Sequence, residues 1–448
     1  MRTAKVSTAG ELLAALADAD EIEIAGSLSG MPALSLRPGV TLRSGTLRFG
    51  AKGVRMSADI RLEDITILVP DHEVAIGNDT SVPDLGRLTI RGVRTRVQVL
   101  LIADDAVRAG HIEIESLAVA AADVRGRPDR PHGYGVEAMQ GAATLWNRQR
   151  DPAVHVTAHL DGISARTAEI PVRGSGVFVA GHGDEAGRAD GGELVVNLLR
   201  TGPVYTGGGI EPGTPDLISG GVFVITGARV ETIVNDGPVT TAGANDMALD
   251  NWGTAGSWTA RAPVTSHGPT GIGFVNFGVL DRLDIQAPVV TFGTGARGFN
   301  VYDGSLASAR FESITTHADG AVGMQVSKDL PTLDITGSVM TYGGRGMSLV
   351  RGQQVELGAT AISVPAGGRI GRLTVGGTLS TSGDQVVTLE VPGSIDSLHV
   401  DGGISASGAG SDAAHAAGTI GGLDEISTTA AHGQAVVRGD QPLAHEAP

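Results

Sequence analysis

Pro238-Val239-Thr240-Thr241, Pro263-Val264-Thr265-Ser266 and Pro288-Val289-Val290-Thr291 follow one another at intervals of 25 residues. Ser313-Ile314-Thr315-Thr316 and Ser338-Val339-Met340-Thr341 keep the same phase. A fixed period of roughly 20–50 residues marks a solenoid, propeller or array. The other half of each copy supports the register. Leu249, Phe274, Phe299, Met324 and Leu349 form one large apolar column, and Thr241, Ser266, Thr291, Thr316 and Thr341 form a column of small hydroxyls. Gly243, Gly268, Gly293 and Gly343 follow it, with Ala318 as the exception. Period-2 alternation is present and helical spacing is absent, so each copy reads as two or three short strands joined by tight turns. Strands that return to the same phase lie parallel, about 4.8 Å apart. The expected fold is therefore all-β, a parallel β-helix of about 25-residue coils. A propeller blade needs roughly 40–50 residues and is set aside.

Outward from this stretch the spacing loosens. Thr378-Leu379-Ser380-Thr381 comes 40 residues after its predecessor, and Pro203-Val204-Tyr205-Thr206 lies 35 residues before Pro238. Extra length reads as loop excursions, expected near 120–152, 181–192 and 207–218. Thr8-Ala9-Gly10-Glu11 has capping-box form ahead of Leu12, Leu13 and Leu16, which predicts a short helix covering the first coil. The division expected is a capping segment over 1–20, one β-helix over 21–440 and a loose tail over 441–448. Although 448 residues would ordinarily suggest more than one domain, a continuous solenoid overrides that prior.

Composition narrows the partners. Sixty-seven glycines and few aromatics suit many turns and thin layers. There is no cysteine, so no disulfide or thiolate site is expected. A net charge of −16 argues against a nucleic-acid partner. The only lysines are Lys5, Lys52 and Lys328, so cationic chemistry must rest on arginine or histidine. No apolar run is long enough for a membrane span, and no signal peptide follows Met1, so a cytoplasmic location is expected. No cofactor is expected. Gly293-Thr294-Gly295-Ala296-Arg297-Gly298 spells a dinucleotide fingerprint, yet no long helix follows it and two of its glycines are repeat positions. The sequon Asn78-Asp79-Thr80 has no secretory context.

A 25-residue parallel coil, a helical N-terminal cap and a glycine-rich body resemble the pectate-lyase-like right-handed parallel β-helix superfamily. The resemblance is architectural and spans nearly the whole chain, without a catalytic motif of one family. It implies a single-stranded right-handed helix and a carbohydrate-active protein: a polysaccharide lyase, a hydrolase, a fructan-transferring enzyme or a tailspike. It also implies a homotrimer as one possible assembly. Fold alone does not fix function.

Departures from the repeat supply the candidate residues. With Leu249 pointing inward, Asn251 and Asn276 point inward too and can satisfy turn backbone groups. Asp250, Val275, Asn300 and Gln325 fall in an outward column, and Trp252, Phe277 and Tyr302 in the next, either as a sugar platform or packed under a loop. His267, Phe292, His317 and Tyr342 make a further outward column. Arg297 falls among the inward residues Met247, Ile272, Val322 and Met347, where a buried cation needs an acid or serves a site. Glycosidic cleavage uses two carboxyl groups, about 5–5.5 Å apart in retaining enzymes and about 6.5–9.5 Å in inverting ones. Asp246 and Asp250 share a strand face but lie about 13 Å apart if extended. Either one could instead pair with Glu211 or Asp216 of an inserted loop, where the alternative is turn chemistry. The segment from Arg130 to Arg148 concentrates His132, Tyr134, Glu137 and Trp146, as a binding loop on a rigid scaffold does. Gly181-His182-Gly183-Asp184-Glu185 lacks a dense ligand spacing for a metal and reads as a solvated turn.

Three functions follow from these residues. The first is hydrolysis or transfer of glycosidic bonds in a neutral oligosaccharide or polysaccharide. Its catalytic acids would be Asp216, Asp250, Asp246 and Glu211. Its binding residues would be Trp146, Tyr134, His132, His267, Arg297, Asn300, Trp252 and Tyr302. The second is a lyase acting on a uronate polymer, and the third a non-catalytic solenoid that binds glycan or serves a structural role.

Overall fold

The computed structural model describes residues 2–165, 167–350 and 352–439. The chain is all-β, built mostly of parallel strands, with one α-helix and one short 3-10 turn among the described residues. The tail expected over 441–448 lies outside the described residues. Two compact units are present. The first takes the chain up to Gly207 together with Val222–Asp236, and the second takes Gly208–Gly221 and the chain from Gly237 onward.

In the first unit the helix Ala9–Ala15 begins with the expected capping box. Thr8 Oγ1 accepts from the Glu11 amide, and the Glu11 carboxylate accepts from the Thr8 and Ser7 amides. Its Leu12 is fully buried. The strands that follow pair in parallel at a step of 20 residues, Ile22 beside Leu42 beside Leu62. This shorter coil was not anticipated. Farther on the step becomes irregular. Ile90, Ile114, Leu160, Leu199 and Ile233 are successive partners, at intervals of 24, 46, 39 and 34 residues.

In the second unit the 25-residue register is regular. Val239, Val264, Val289, Ile314 and Val339 pair in turn, and Leu379 and Ile404 continue the row. Leu249, Phe274, Phe299 and Met324 stack in the core, where Trp258 meets Phe274 edge-on at 5.2 Å and Phe311 meets Phe299 at 4.8 Å. The hydroxyl column is buried. Glycine after it has a steric cause: a Cβ on Gly268 would stand 1.7 Å from the Gly243 carbonyl oxygen. The asparagine ladder forms as expected. Asn251 Nδ2 donates to Asn276 Oδ1 at 2.8 Å, and Asn276 Nδ2 donates to the Gly278 carbonyl at 3.0 Å.

One column assignment is corrected. Met324 is followed by Ile362, not Leu349. The extra residues of the 40-residue interval form an antiparallel hairpin, Arg345–Val350 with Gln353–Gly358, and this hairpin carries Met347 and Leu349. Met347 is exposed rather than inward. Buried Ser348 ties the hairpin down, donating to the Gly295 carbonyl at 2.8 Å and accepting from Arg297 at 3.2 Å. The dinucleotide-like glycine run is a turn with Gly295 at φ 65°, and a strand rather than a helix follows it.

Candidate functional site

The largest concavity belongs to the first unit and encloses about 860 Å³. It forms where parallel strands end. Gln98–Ala103, Gly141–Asn147 and Ser175–Ala180 lie side by side, with Ile102 beside Trp146 and Trp146 beside Ala180. Each strand then leaves the stack through a polar loop. Asp104 and Asp105 follow the first, Arg148 to Asp151 the second, and Gly181 to Gly183 the third; residues 128–132 add a wall. Asn147 fixes this exit, its side-chain amide donating to the carbonyls of Val154 and Glu193 at 3.0 and 2.9 Å.

Arg148 organises the polar chemistry. Its guanidinium lies 4.9 Å from the Trp146 ring centroid and reaches both Asp104, at 3.2 Å, and Asp129, at 3.0 Å. Because one guanidinium nitrogen touches both, the two carboxylate oxygens lie within about 6 Å of each other, inside the span glycosidic cleavage uses. The indole N–H of Trp146 donates to the Gly181 carbonyl at 3.1 Å, which fixes the ring. On the same wall His182 Nδ1 lies 2.7 Å from Asp190 Oδ1. A carboxylate only accepts, so Nδ1 carries the hydrogen and Nε2 is the acceptor of the neutral ring. Among the described residues, no group of three or more acids and histidines is placed to hold a metal ion.

Of the expected binding residues, His132 and Trp146 line this cleft. Tyr134 does not line it; its hydroxyl donates to the Gly187 carbonyl at 3.3 Å. The acids of the 181–185 loop divide as turn chemistry would have it, with Asp184 accepting from the Ala186 and Arg188 amides. His182 is the exception. Asp104, Asp129 and Asp190 were not singled out from the sequence, and nothing local distinguishes them from other turn aspartates.

The remaining candidates belong to the second unit and are largely closed to solvent. Asp246 is buried and structural, accepting from Ser219 Oγ at 3.0 Å and the Gly243 amide at 3.2 Å. Asp250 is fully buried and neither oxygen has a partner in ordinary hydrogen-bond geometry. Burial pushes its pKa well above the usual aspartate range, and the Trp252 indole offsets this only in part. Asn300, two coils along the same column, is also fully buried with both side-chain polar atoms unbonded. Glu211 and Asp216 stay exposed on a loop held by Asn245, whose amide donates to the carbonyls of Thr214 and Leu217. Arg297 is buried without a carboxylate, bonded to Gln325, Ser348 and the Gly295 carbonyl. Burial pulls its pKa down.

Trp252 is only 2% exposed, so the row Trp252, Phe277 and Tyr302 is not an open platform; Phe277 and Tyr302 stack at 5.1 Å. His267, Phe292, His317 and Tyr342 do stand outside, stacked face to face at 4.7–5.2 Å within 8° of parallel. Their faces are occupied by one another, which leaves ring edges toward solvent.

No protein-family model matches the chain, and the comparisons with curated proteins and with solved structures give no significant match.

Proposed function

We propose that this chain is a carbohydrate-active protein of the right-handed parallel β-helix kind, which takes a short neutral glycan into the cleft of its first unit and hydrolyses or transfers a glycosidic bond there. The observation that carries this reading is the carboxylate pair Asp104 and Asp129, held within about 6 Å beside the Trp146 ring. An aromatic face next to paired acids suits a sugar ring, whose C–H face is apolar and whose rim is polar. The architectural resemblance adds to this as analogy only. It moves the acid pair from the residues expected in the second unit to the first.

Arg148 favours a second reading. A general acid must hold a proton, and protonating either aspartate forfeits an ion pair with that arginine. Unless substrate draws Arg148 away, the cleft binds glycan without turnover.

The test is product analysis with neutral fructans, glucans and arabinans and with uronate polymers, for wild type, Asp104→Asn, Asp129→Asn and Trp146→Ala. New saccharides from a neutral substrate, lost in either aspartate variant, support the enzyme. Retention of an oligosaccharide without products, weakened in Trp146→Ala, supports the binding protein. Unsaturated products would replace both with a lyase. Activity that survives both aspartate variants would overturn the acid pair.

A further inference from the structure

The second unit carries a polar column that the reading above does not use. Gln325, Ser363, Glu390 and His415 are successive register partners on four neighbouring parallel strands, so their Cα atoms lie about 4.8 Å apart in turn. All four are half-buried, between the closed core and open solvent. Ser363 Oγ donates to Glu390 Oε2 at 3.5 Å. His415 Nε2 lies 2.7 Å from Asp412 Oδ2, and Asp412 is itself fixed by the Gln434 amide at 2.6 Å. The other imidazole nitrogen, Nδ1, is buried with no hydrogen-bond partner. A regular solenoid wall has no packing need for a hydroxyl, a buried carboxyl, an imidazole and a second carboxylate in sequence. Unsatisfied buried polar atoms cost about 1–3 kcal/mol and call for an explanation.

We propose that this column is an acyl-transfer site for small neutral acyl esters, with Ser363 as nucleophile, Glu390 as its base and Gln325 Nε2 as the donor facing the developing oxyanion. His415 and Asp412 are positioning residues, acting on Glu390. The Ser363 hydroxyl proton passes to Glu390 as Oγ bonds to the ester carbonyl carbon. Negative charge gathers on the carbonyl oxygen, against the Gln325 amide. The bond from carbon to the alkoxy oxygen then breaks, and the alcohol leaves with the proton from Glu390. Water completes the cycle. It gives a proton to Glu390 while bonding to the acyl carbon, and Ser363 departs from that carbon and recovers the proton. Overall an ester and water become an acid and an alcohol.

Burial raises the Glu390 carboxyl above the ordinary glutamate range, with His415, Ser363 and Arg345 each opposing the shift. A carboxylate of higher pKa is a better base near neutral pH. The charged groups around it are His415, Asp412 and Arg345, and Arg345 is itself engaged by Glu356 at 3.1 Å. Ser363 donates at the long edge of hydrogen-bond range, as catalytic contacts often do before substrate is bound.

The site is independent of the cleft reading, since acid release from an ester and new saccharides are separate products. The full chain would be treated with a fluorophosphonate probe and, separately, p-nitrophenyl acetate, and the modified residue located by peptide mass spectrometry. The expected result is modification at Ser363 and a burst of p-nitrophenolate. Ser363→Ala should abolish both, and Glu390→Gln should slow them by about 10²–10⁴-fold. Asp412→Asn should move the midpoint of the labelling-against-pH curve, which a merely structural role would leave in place. An unmodified Ser363 after hours at millimolar probe, or equal labelling of Ser363→Ala, would overturn the proposal.

Discussion

Replacing Asp250 with asparagine should stabilise the second unit at neutral pH. Asp250 is fully buried, lacks a well-formed hydrogen bond and has a pKa raised well above normal. The unfolded chain releases this proton near pH 3.9, while the folded chain keeps it. Above that point the native state binds more protons than the unfolded state, so stability falls as pH rises, by about 1.4 kcal/mol for each unit until the folded group ionises. Below pH 4 both states are protonated and the penalty vanishes. Asparagine has nearly the same shape and never ionises. The variant should therefore match wild type at low pH and exceed it at pH 7 by more than about 1.4 kcal/mol.

The three tryptophans make this measurable. Trp252 and Trp258 belong to the second unit and Trp146 to the first, so a Trp146→Phe background reports the second unit alone. Urea unfolding followed by fluorescence between pH 4 and 8 would give the difference between that background and the same chain with Asp250→Asn, from midpoints at constant slope. Parallel pH dependences, or a less stable variant at pH 7, would show that Asp250 is ionised and paired, and the reasoning would fail.

Other perturbations have equally definite outcomes. Gly268→Ala would force a Cβ to within 1.7 Å of the Gly243 carbonyl oxygen, so the stacked turns must separate. Loss of soluble expression, or a fall in urea midpoint far beyond that of alanine at open Gly213, is expected. Asn276→Ala removes donors to Gly278, Asp303 and Ser305 carbonyls and should cost about 1–3 kcal/mol in the same urea assay. Ser348→Ala releases the one buried side chain of the hairpin strand Arg345–Val350, and amide exchange should quicken across 345–358 while the 25-residue coils keep their protection.

The part of the fold that could be read from the chain is the part where one coil repeats the last. Proline, valine and threonine at fixed spacing located the strands at 239, 264, 289, 314 and 339, and the asparagine and glycine columns gave their turns. The 20-residue coils near the N-terminus escaped because Ile22, Leu42 and Leu62 repeat only as apolar residues, with no proline or glycine to mark phase. Leu349 was misplaced for a different reason. Hydrophobic size alone let a hairpin residue stand in for Ile362, the true partner of Met324. In the site, Trp146 and His132 stood out because aromatic and histidine residues are scarce, whereas Asp104 and Asp129 gain their significance from Arg148, which no spacing reveals.

The location of the cleft follows from the same physics. Where the period holds at 25, strands such as Asp246–Asn251, Ile272–Asn276 and Arg297–Val301 stay in register and every residue in them is buried. A wall of that kind closes even over Asp250 and Arg297. Where intervals run 24, 46, 39 and 34, extra residues must leave between strands, and pairing slips between Ala158 and His159 and again before Ile163 and Ala165. Loops that leave the stack carry polar side chains free of the demand to stack, and several leaving at one edge surround a space instead of filling it. On this argument, shortening the 120–135 excursion would remove Asp129 and His132 and open the cleft, while leaving the paired strands Gly141–Asn147 and Ser175–Ala180 in place. Glycan retention would fall with little change in thermal stability, and a large loss of stability would mean that the excursion supports the stack.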